Sequence, residues 1–578
     1  MGYSGAMMPD PKRFLAGLRS GAGLVLALLL TSCASAPPAD HAAAPAANAN
    51  QRGESESILA AETALRDGNC RSAAENYLAA ARVSSDSGVA AKATQLAVGC
   101  DQLATAQVAA ARWREMEPYS GDAALAAALV ALKRYDLVAA REALTSWRDS
   151  GSAGSQDPLR FAELLEQETD ATAVQQVFGP VLVGDDPTAE VLLAQAKLAL
   201  SAQNMRAAIE GAKRALAVDT GLLEARTVLL RAQSVLGEHD AAIAGARELG
   251  DTLEGEDEFL LVDFLTAADR HDEARKLLID MASAPATRLG AERRLVGLSM
   301  QEGDFGAAES RLEPLLGERG ATAIALYMLA QLAERKGDEA RAVQNYRLLA
   351  DSSLALAART GAARLMLARG DSKNALALLD DYAAQNPESA IDIAATRAQL
   401  LAQAGNVAQA LVGLDAMLER YPDHPQLVYQ KATVLETGGR TREAIALFER
   451  ELKQRPDDPQ LTNALGFTLA DHGQQLTRAE KLVRQAIDVS PDSPAIQDSL
   501  GWVLFRRGRN HEALPVLERA WHNSQDGEIA AHYGEALWKS GNEGQARYIW
   551  QQALNLNPSH KGLLATQQRL TGETPARH

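Results

Sequence analysis

A period of about 34 residues runs through most of this 578-residue chain. Glycines keep this spacing over the second half, at Gly303, Gly337, Gly370, Gly405, Gly439, Gly473, Gly508 and Gly541. Small residues keep the same register from near the start, at Ala73, Ala106, Ala140, Val174, Ala208, Ala242, Ala274, Ala308, Ala342, Ala375, Ala410, Ala444, Ala479, Ala513 and Ala546. A fixed period of this length is typical of chains that stack one small unit many times, so we expect a repeat array instead of separate compact domains.

Residues 427–456 show how one unit is expected to fold. Gly439 follows an apolar stretch, and glycine accepts the left-handed backbone that ends a helix at little cost. Ala444 and Phe448 then recur at helical spacing. Pro456 ends the second stretch, because proline cannot donate a hydrogen bond within a helix. The unit is therefore predicted to be two helices joined by a turn, with Ala444 small enough to let them pack closely.

The composition supports a helical array and excludes several function classes. Hydrophobic residues make up 47% of the chain but aromatic residues only 4%, which favours helices packed through small side chains over a β-rich fold. With 75 acidic and 58 basic residues the net charge is −17, which argues against a general nucleic-acid binder. Three cysteines are too few for a fold built on disulfides or on several zinc sites.

The units resemble the tetratricopeptide repeat. One unit carries the pattern at Leu500, Gly501, Gly508, Ala513, Leu517 and Ala520, and the next at Tyr533, Gly534, Gly541, Ala546, Trp550, Ala553 and Pro558. The resemblance implies an all-α fold, a right-handed superhelix of helix–turn–helix units. It is close over residues 291–560 and looser over 56–149 and 188–290. A short C-terminal tail is expected at 561–578.

Residues 150–187 fit the repeat pattern least well. Gly151, Gly154 and Pro158 loosen the start of the first helix, and Gly179-Pro180 is expected to interrupt the second. This segment is predicted to be either a degenerate repeat or a joint between two sub-arrays, and we favour the joint.

Residues 1–33 are typical of an export signal. Lys12, Arg13 and Arg19 give it a positive start, and the apolar run Leu24–Leu30 is too short to cross a bilayer.

The end of this segment, Leu30-Thr31-Ser32-Cys33, resembles the bacterial lipobox, which implies that Cys33 is lipidated and becomes the first residue of the mature chain. The alternative is an ordinary secretory signal with a chance cysteine. Ala34 stands where aspartate would mark inner-membrane retention, so the expected location is the outer membrane, lipid-anchored and facing the periplasm. Residues 34–55 are rich in Ala, Pro and Asn and are predicted to be a flexible tether, roughly 25 Å long.

The sequence offers no recognisable catalytic or metal-binding motif. No P-loop, HExxH, GxSxG or paired CxxC motif occurs, and the ten histidines are scattered at positions typical of repeat loops. We therefore expect a protein that is not an enzyme and that needs no cofactor or metal.

Cys70 and Cys100 lie at corresponding turns of the first two units. Because stacked units bring such turns together in an oxidising compartment, we expect a disulfide, with two buried thiols as the alternative.

The expected interaction surface is the concave groove lined by the first helix of each unit. The candidate residues are Phe467, Asp471, Asp498, Trp502, Phe505, Arg506 and Trp538. Four of the six tryptophans (Trp502, Trp521, Trp538 and Trp550) lie near the C-terminus, and tryptophan and arginine are frequent interface anchors. The alternative is that these aromatic residues only pack between helices.

The lipobox, tether and repeat array together resemble a family of proteobacterial outer-membrane lipoproteins. Over about residues 460–558 the runs Asn463–Ala470, Ser499–Phe505 and Ala531–Trp538 are similar to the repeats of lipoproteins that partner a periplasmic carboxyl-terminal processing protease. The resemblance implies an adaptor that binds and activates this serine protease and presents peptidoglycan cross-link hydrolases to it. The alternatives are a scaffold for exopolysaccharide or cell-wall synthesis, or an enzyme with its site in residues 120–290.

Overall fold

In the computed structural model of the chain, the described residues are 49–572 without 68, 151–157, 183–186, 319, 387–388, 422–423 and 557–559. Over these residues the chain forms 31 α-helices and no strands, which confirms the all-α solenoid. No helix within this part of the chain has the length and apolar character that crossing a bilayer requires. The expected export signal with Cys33, and the expected tether as far as residue 48, lie outside the described residues.

Thirty of the helices form fifteen consecutive antiparallel pairs, and the last helix covers the end of the array. The first helices of the pairs are α1 Ala49–Arg66, α3 Ser87–Gly99, α5 Gly121–Lys133, α7 Pro158–Glu168, α9 Ala189–Ser201, α11 Leu223–Val235, α13 Leu260–Ala267, α15 Arg288–Gln301, α17 Thr322–Arg335, α19 Ala355–Ala368, α21 Ala390–Gln403, α23 Pro425–Thr437, α25 Pro459–Asp471, α27 Pro494–Arg506 and α29 Gly527–Lys539. The second helices are α2 Cys70–Val83, α4 Leu103–Met116, α6 Leu137–Asp149, α8 Ala171–Leu182, α10 Met205–Val218, α12 His239–Leu249, α14 His271–Met281, α16 Phe305–Leu312, α18 Glu339–Arg347, α20 Ser372–Gln385, α22 Val407–Arg420, α24 Thr441–Gln454, α26 Leu476–Val489, α28 Asn510–Asn523 and α30 Glu543–Leu556. The last helix is α31 Lys561–Thr571.

The recurring small residues lie where paired helices meet. All fifteen positions in the alanine register, from Ala73 to Ala546, fall on second helices, and each is at most 1% exposed. A larger side chain would push the helices apart, because protein interiors are close-packed. The recurring small residues therefore mark the positions at which paired helices are in contact.

The turn inside each pair requires a left-handed residue. All eight recurring glycines, Gly303 to Gly541, have φ between +65° and +87°. In earlier pairs non-glycine residues take this conformation, at Asp101, Tyr135, Gln203 and Asp269, with φ between +52° and +58°. The turns of these earlier pairs therefore have the same left-handed backbone without the recurring glycine. This explains why the sequence matches the repeat pattern only loosely before residue 290.

Residues 158–182 form an ordinary helix pair, and Gly179-Pro180 does not interrupt it. Helix α8 continues to Leu182. Phe161, Leu165 and Phe178 are buried in one apolar core that runs from Ala124 to Leu198, through the neighbouring pairs. Burial against both neighbours outweighs the poor helix propensity of glycine and proline. The described part of the segment therefore packs like its neighbours, and a joint between two sub-arrays stays a prediction.

Both ends of the array contain more helix than expected. Residues 49–55, placed in the tether by the sequence, belong to α1, and Glu54 accepts a hydrogen bond of 2.8 Å from the Ser84 hydroxyl. Residues 561–571, expected to be tail, form α31, which buries Leu563 completely. The Arg569 guanidinium pairs with the Glu535 carboxylate at 2.5 Å. A terminal helix with one apolar face protects the open end of a solenoid from water.

The superhelix closes on itself, because turns within early pairs contact loops that follow later pairs. The Arg71 guanidinium donates to the Glu419 carbonyl at 2.5 Å, and the Gln102 side-chain amide donates to the Arg420 carbonyl at 3.2 Å. Further contacts join Met205 N to Asp492 Oδ2 (2.8 Å), Asp492 N to the Gln203 carbonyl (3.1 Å), Arg335 Nη1 to the Asn555 carbonyl (3.3 Å), and Lys561 Nζ to the Gln403 carbonyl (3.4 Å). We call these the inter-turn contacts.

The C-terminal pairs form the largest continuous core. One apolar cluster extends from Ala363 to Leu563, whereas the pairs before it divide into several smaller clusters. Helices α25, α27 and α29 are buried over nearly their whole length, so residues on all their faces lie inside the protein.

Candidate interaction surface

Six of the seven candidate residues lie on two neighbouring first helices and converge. Phe467 and Asp471 are on α25, and Asp498, Trp502, Phe505 and Arg506 are on α27. The Trp502 indole N–H donates to Asp471 Oδ1 at 3.1 Å, and its ring stacks on Phe505 at 5.2 Å. Arg506 lies 5.5 Å from the Trp502 ring centre and 3.7 Å from Asp471 Oδ1.

His532 of α29 joins these residues into one cluster. Its Nδ1 lies 2.8 Å from Asp498 Oδ2, and its ring stacks on Trp502 at 4.2 Å and lies 5.8 Å from Phe467. Sequence reasoning missed His532 by treating histidines as loop residues. The available signal was its position inside a first helix, two residues before the repeat glycine Gly534. We define the concave cluster as Phe467, Asp471, Asp498, Trp502, Phe505, Arg506 and His532, with Glu528 and Glu436 beside it.

The concave cluster is largely closed to solvent. Phe467, Asp498 and Trp502 are 3%, 5% and 6% exposed, whereas Asp471 and Arg506 are half-buried. Phe467 and Trp502 therefore pack between helices, and the expectation that the candidates line a binding groove stays a prediction. Phe505 is also half-buried.

Electrostatics favour protons at the concave cluster. Burial alone would lower the pKa of His532, but the carboxylates of Asp498, Glu528 and Asp471 raise it to about 9. Burial raises the pKa of Glu528 to about 8; His532 opposes this shift, and Asp498, Asp526 and Asp471 add to it. The site thus combines a charged imidazole with a carboxyl group that remains largely protonated at neutral pH.

Glu436 on α23 extends this acidic region. Burial raises the pKa of Glu436 to about 7. A hydrogen bond from Thr468 opposes this shift, and the negative charge of Asp471 adds to it. Its Oε1 lies 3.8 Å from His472 Nε2, too far for a hydrogen bond. Glu436 is 3% exposed, so its carboxyl group lies within the protein close to α25.

Trp538 lies apart from the concave cluster. Its ring stacks on Trp550 at 5.6 Å, and the Arg547 guanidinium lies 5.2 Å from its centre. Trp550 is completely buried against Gly534. The candidate Trp538 is therefore half-buried between the two helices of the last pair.

The two cysteines among the described residues are bonded to each other. Cys70 and Cys100 form a disulfide with Cα atoms 5.6 Å apart, which joins the first two pairs. No group of three or more His, Cys, Asp or Glu side chains in this part of the chain is arranged to hold a metal ion.

Known proteins share parts of this chain. Models of the tetratricopeptide repeat match residues 401–466, and residues 298–353 and 464–528. A TPR repeat-containing protein of Pseudomonas aeruginosa is 29% identical over 209 residues, which cover 36% of this chain and 35% of that relative. The match therefore spans about a third of the length of the curated relative.

Solved structures of low similarity also align with the chain. Yeast Tom70 aligns at 15% identity with a TM-score of 0.37, over 72% of this chain and 94% of that chain. A thermophilic tetratricopeptide-repeat protein of Thermus thermophilus aligns at 18% identity with a TM-score of 0.29, over 32% of this chain and 97% of that chain. The described residues thus have the fold of a tetratricopeptide-repeat solenoid, with fifteen helix pairs and left-handed turn residues, and the family models match repeats within residues 298–353 and 401–528.

Proposed function

We propose that the chain is an exported adaptor, held at the outer membrane through Cys33, that binds a carboxyl-terminal processing serine protease and raises its activity. The observation that carries the proposal is the run of close repeats over residues 460–558, where the concave cluster places aromatic and charged side chains along first helices. Tetratricopeptide arrays act as protein-interaction scaffolds, and their concave faces are the usual binding surfaces.

The adaptor would also bring substrates to the protease. An array of fifteen pairs offers more surface than one peptide requires, so one part can bind the protease while another binds a peptidoglycan cross-link hydrolase. The lipid anchor would keep both proteins near the cell wall.

Reconstitution tests this function. The purified chain alone should hydrolyse neither a protease substrate nor peptidoglycan, and adding it to the purified processing protease should raise peptide hydrolysis severalfold. Arg506→Glu, on the groove side, should weaken this activation. The matched control Arg275→Glu, whose native partner Glu302 lies in the next pair, should not. Unchanged protease activity with the wild-type chain would reject the adaptor.

Location is tested separately. A Cys33→Ser variant should leave the outer-membrane fraction, and a chain that stays there would reject lipid anchoring at Cys33. Recovery of polysaccharide or cell-wall synthase subunits without the protease, from a detergent extract of cells expressing the wild-type chain, would favour the scaffold of a synthesis machinery instead.

A further inference from the structure

The interior of the C-terminal coil contains more carboxyl groups than cations. Four carboxyl groups face the concave cluster from four first helices: Glu436 (α23), Asp471 (α25), Asp498 (α27) and Glu528 (α29). Asp526 adds a fifth from the loop before α29. The basic groups facing them are His532 and Arg506, and His472 Nε2 lies 3.8 Å from Glu436 Oε1. In a buried setting such an excess of negative charge is costly unless cations or protons offset it.

Two of these acids are already paired. Asp471 accepts the Trp502 indole N–H and lies near the Arg506 guanidinium, while Asp498 Oδ2 contacts His532. These contacts account for both cations of the cluster.

Unpaired oxygen atoms remain. Among the residues that the structure describes, Asp498 and Glu436 are both at least 95% buried. Within them, Asp498 Oδ1 and Glu436 Oε1 have no hydrogen-bond partner. Glu528 has no ion-pair partner in the same part of the chain and keeps some solvent contact. Buried polar atoms are nearly always hydrogen-bonded. Because the Thr468 hydroxyl lies beside Glu436, Asp498 Oδ1 is the oxygen that points to a missing donor.

We propose that this region binds one cationic side chain, a lysine or arginine presented by an extended segment of a partner protein. Asp498 Oδ1 and the Glu528 carboxylate accept hydrogen bonds from the ammonium or guanidinium group, and Glu436 adds a third negative charge. Phe505, which is half-buried, supplies an apolar contact for the side-chain stem. The inference rests on the proposed function, because it takes the C-terminal groove as the surface that binds protein.

Charge complementarity selects this occupant over others. An acidic or phosphorylated segment would add like charge to the region, and a purely apolar segment would leave the unpaired oxygens without donors. Arginine carries five donors and can contact two carboxylates at once, so it fits better than lysine.

Protons occupy the region when the cation is absent. At pH 7 the raised pKa of Glu528, about 8, keeps much of this group neutral, and the pKa of Glu436, about 7, does so in part. A bound cation lowers both values, so binding releases protons. Affinity therefore rises between about pH 6 and 8, and loss of the His532 charge near pH 9 strengthens it further.

Saturation-transfer NMR on the full chain tests the proposal, with N-acetyl-L-arginine amide as probe. N-acetyl-L-citrulline amide is the control, because it replaces the guanidinium with a neutral urea of the same shape. Arginine amide should give a saturable signal, and citrulline amide less than about a third of it. Equal signals from the two probes, or no signal from arginine amide, would overturn the proposal.

Variants locate the binding. Glu528→Gln should reduce the arginine signal about threefold or more without unfolding, because Glu528 has no ion pair to lose. Asp498→Asn should do the same, with circular dichroism to verify the fold. Glu543→Gln, an exposed acid on α30, should have no effect. Unchanged arginine binding in Glu528→Gln would reject the site.

Calorimetry in buffers of low and high ionisation enthalpy gives an independent readout. At pH 7 the apparent binding enthalpy should differ between the buffers, because protons are released, and identical enthalpies would contradict the proton linkage. These probes require no protease. Arginine binding without protease activation would reject only the adaptor, and activation without arginine binding would reject only the site.

Discussion

His532 and Glu528 both bind protons more tightly in the folded protein than in the unfolded chain. The folded pKa of His532 is about 9 against a reference of 6.5, and that of Glu528 about 8 against 4.5. Folding stability therefore decreases as pH rises, through about 4.5–8 for Glu528 and 6.5–9 for His532. Both residues therefore make the C-terminal repeats less stable as the pH rises.

We expect the urea midpoint of the C-terminal repeats, followed by tryptophan fluorescence, to fall between pH 6 and 9. His532→Gln should flatten the part above pH 6.5, because it removes the group that loses its proton there. The exposed His511→Gln should leave the curve unchanged. A midpoint that rises with pH in the wild type would contradict the assignment.

Gly534 is required by close packing. A Cβ atom at this position would lie 1.9 Å from Trp550 Nε1, and Trp550 is completely buried. Gly534→Ala should therefore push α29 away from α30 and destabilise the last pair by about 1–3 kcal/mol, measured by urea unfolding. Gly544→Ala is the matched control, because nothing lies within 4 Å of its added Cβ. Equal effects of the two substitutions would show that packing against Trp550 is not the cause.

Among the helices, the Cys70–Cys100 disulfide stabilises one end of the array. It joins residues 30 apart in sequence, and in the chain-entropy model such a loop contributes about 3–4 kcal/mol. Because each repeat contacts mainly its neighbours, the effect should remain local. Reduction should speed hydrogen exchange in α1–α4 and leave α25–α29 unchanged. Faster exchange across the whole chain would indicate that the disulfide controls the global fold.

The sequence predicts the helix pairs well where each unit has its own signal. Turn glycines such as Gly439, and buried small residues such as Ala444, fix helix ends and contacts through local rules. These local rules fail where tertiary packing determines the backbone conformation or the end of a helix. Gln203 takes a left-handed turn without glycine, and α8 continues past Pro180 because its apolar face is buried. Single residues could not reveal either outcome.

At the scale of the whole molecule, the curvature of the superhelix determines contacts that the sequence does not predict. The first-helix positions of Phe467, Asp498 and Trp502 follow from the repeat register, but their contacts with His532 depend on how tightly successive first helices stack. Small rotations between repeats accumulate along a solenoid. The inter-turn contacts likewise join residues as far as 348 positions apart, and nothing in either local sequence predicts them.

The inter-turn contacts are hydrogen bonds, so the closed superhelix should open when several of them are removed. Asp492 has a central place, since its carboxylate accepts the Met205 N–H and its own N–H donates to Gln203. The triple variant Arg71→Ala, Arg335→Ala and Asp492→Ala removes three inter-turn contacts and leaves an unpaired buried amide at Met205.

We expect small-angle scattering of this variant to give a radius of gyration several ångströms larger than that of the wild type, with unchanged helical circular dichroism. A solenoid can change its pitch while each repeat keeps its neighbours, so opening need not cost helix content. The control Asp263→Ala, Arg275→Ala and Arg369→Ala has the same composition but breaks ion pairs between adjacent pairs of helices only. It should scatter like the wild type. An unchanged radius in the inter-turn variant would mean that repeat stacking alone sets the closed shape, and that the contacts between turns only follow from it.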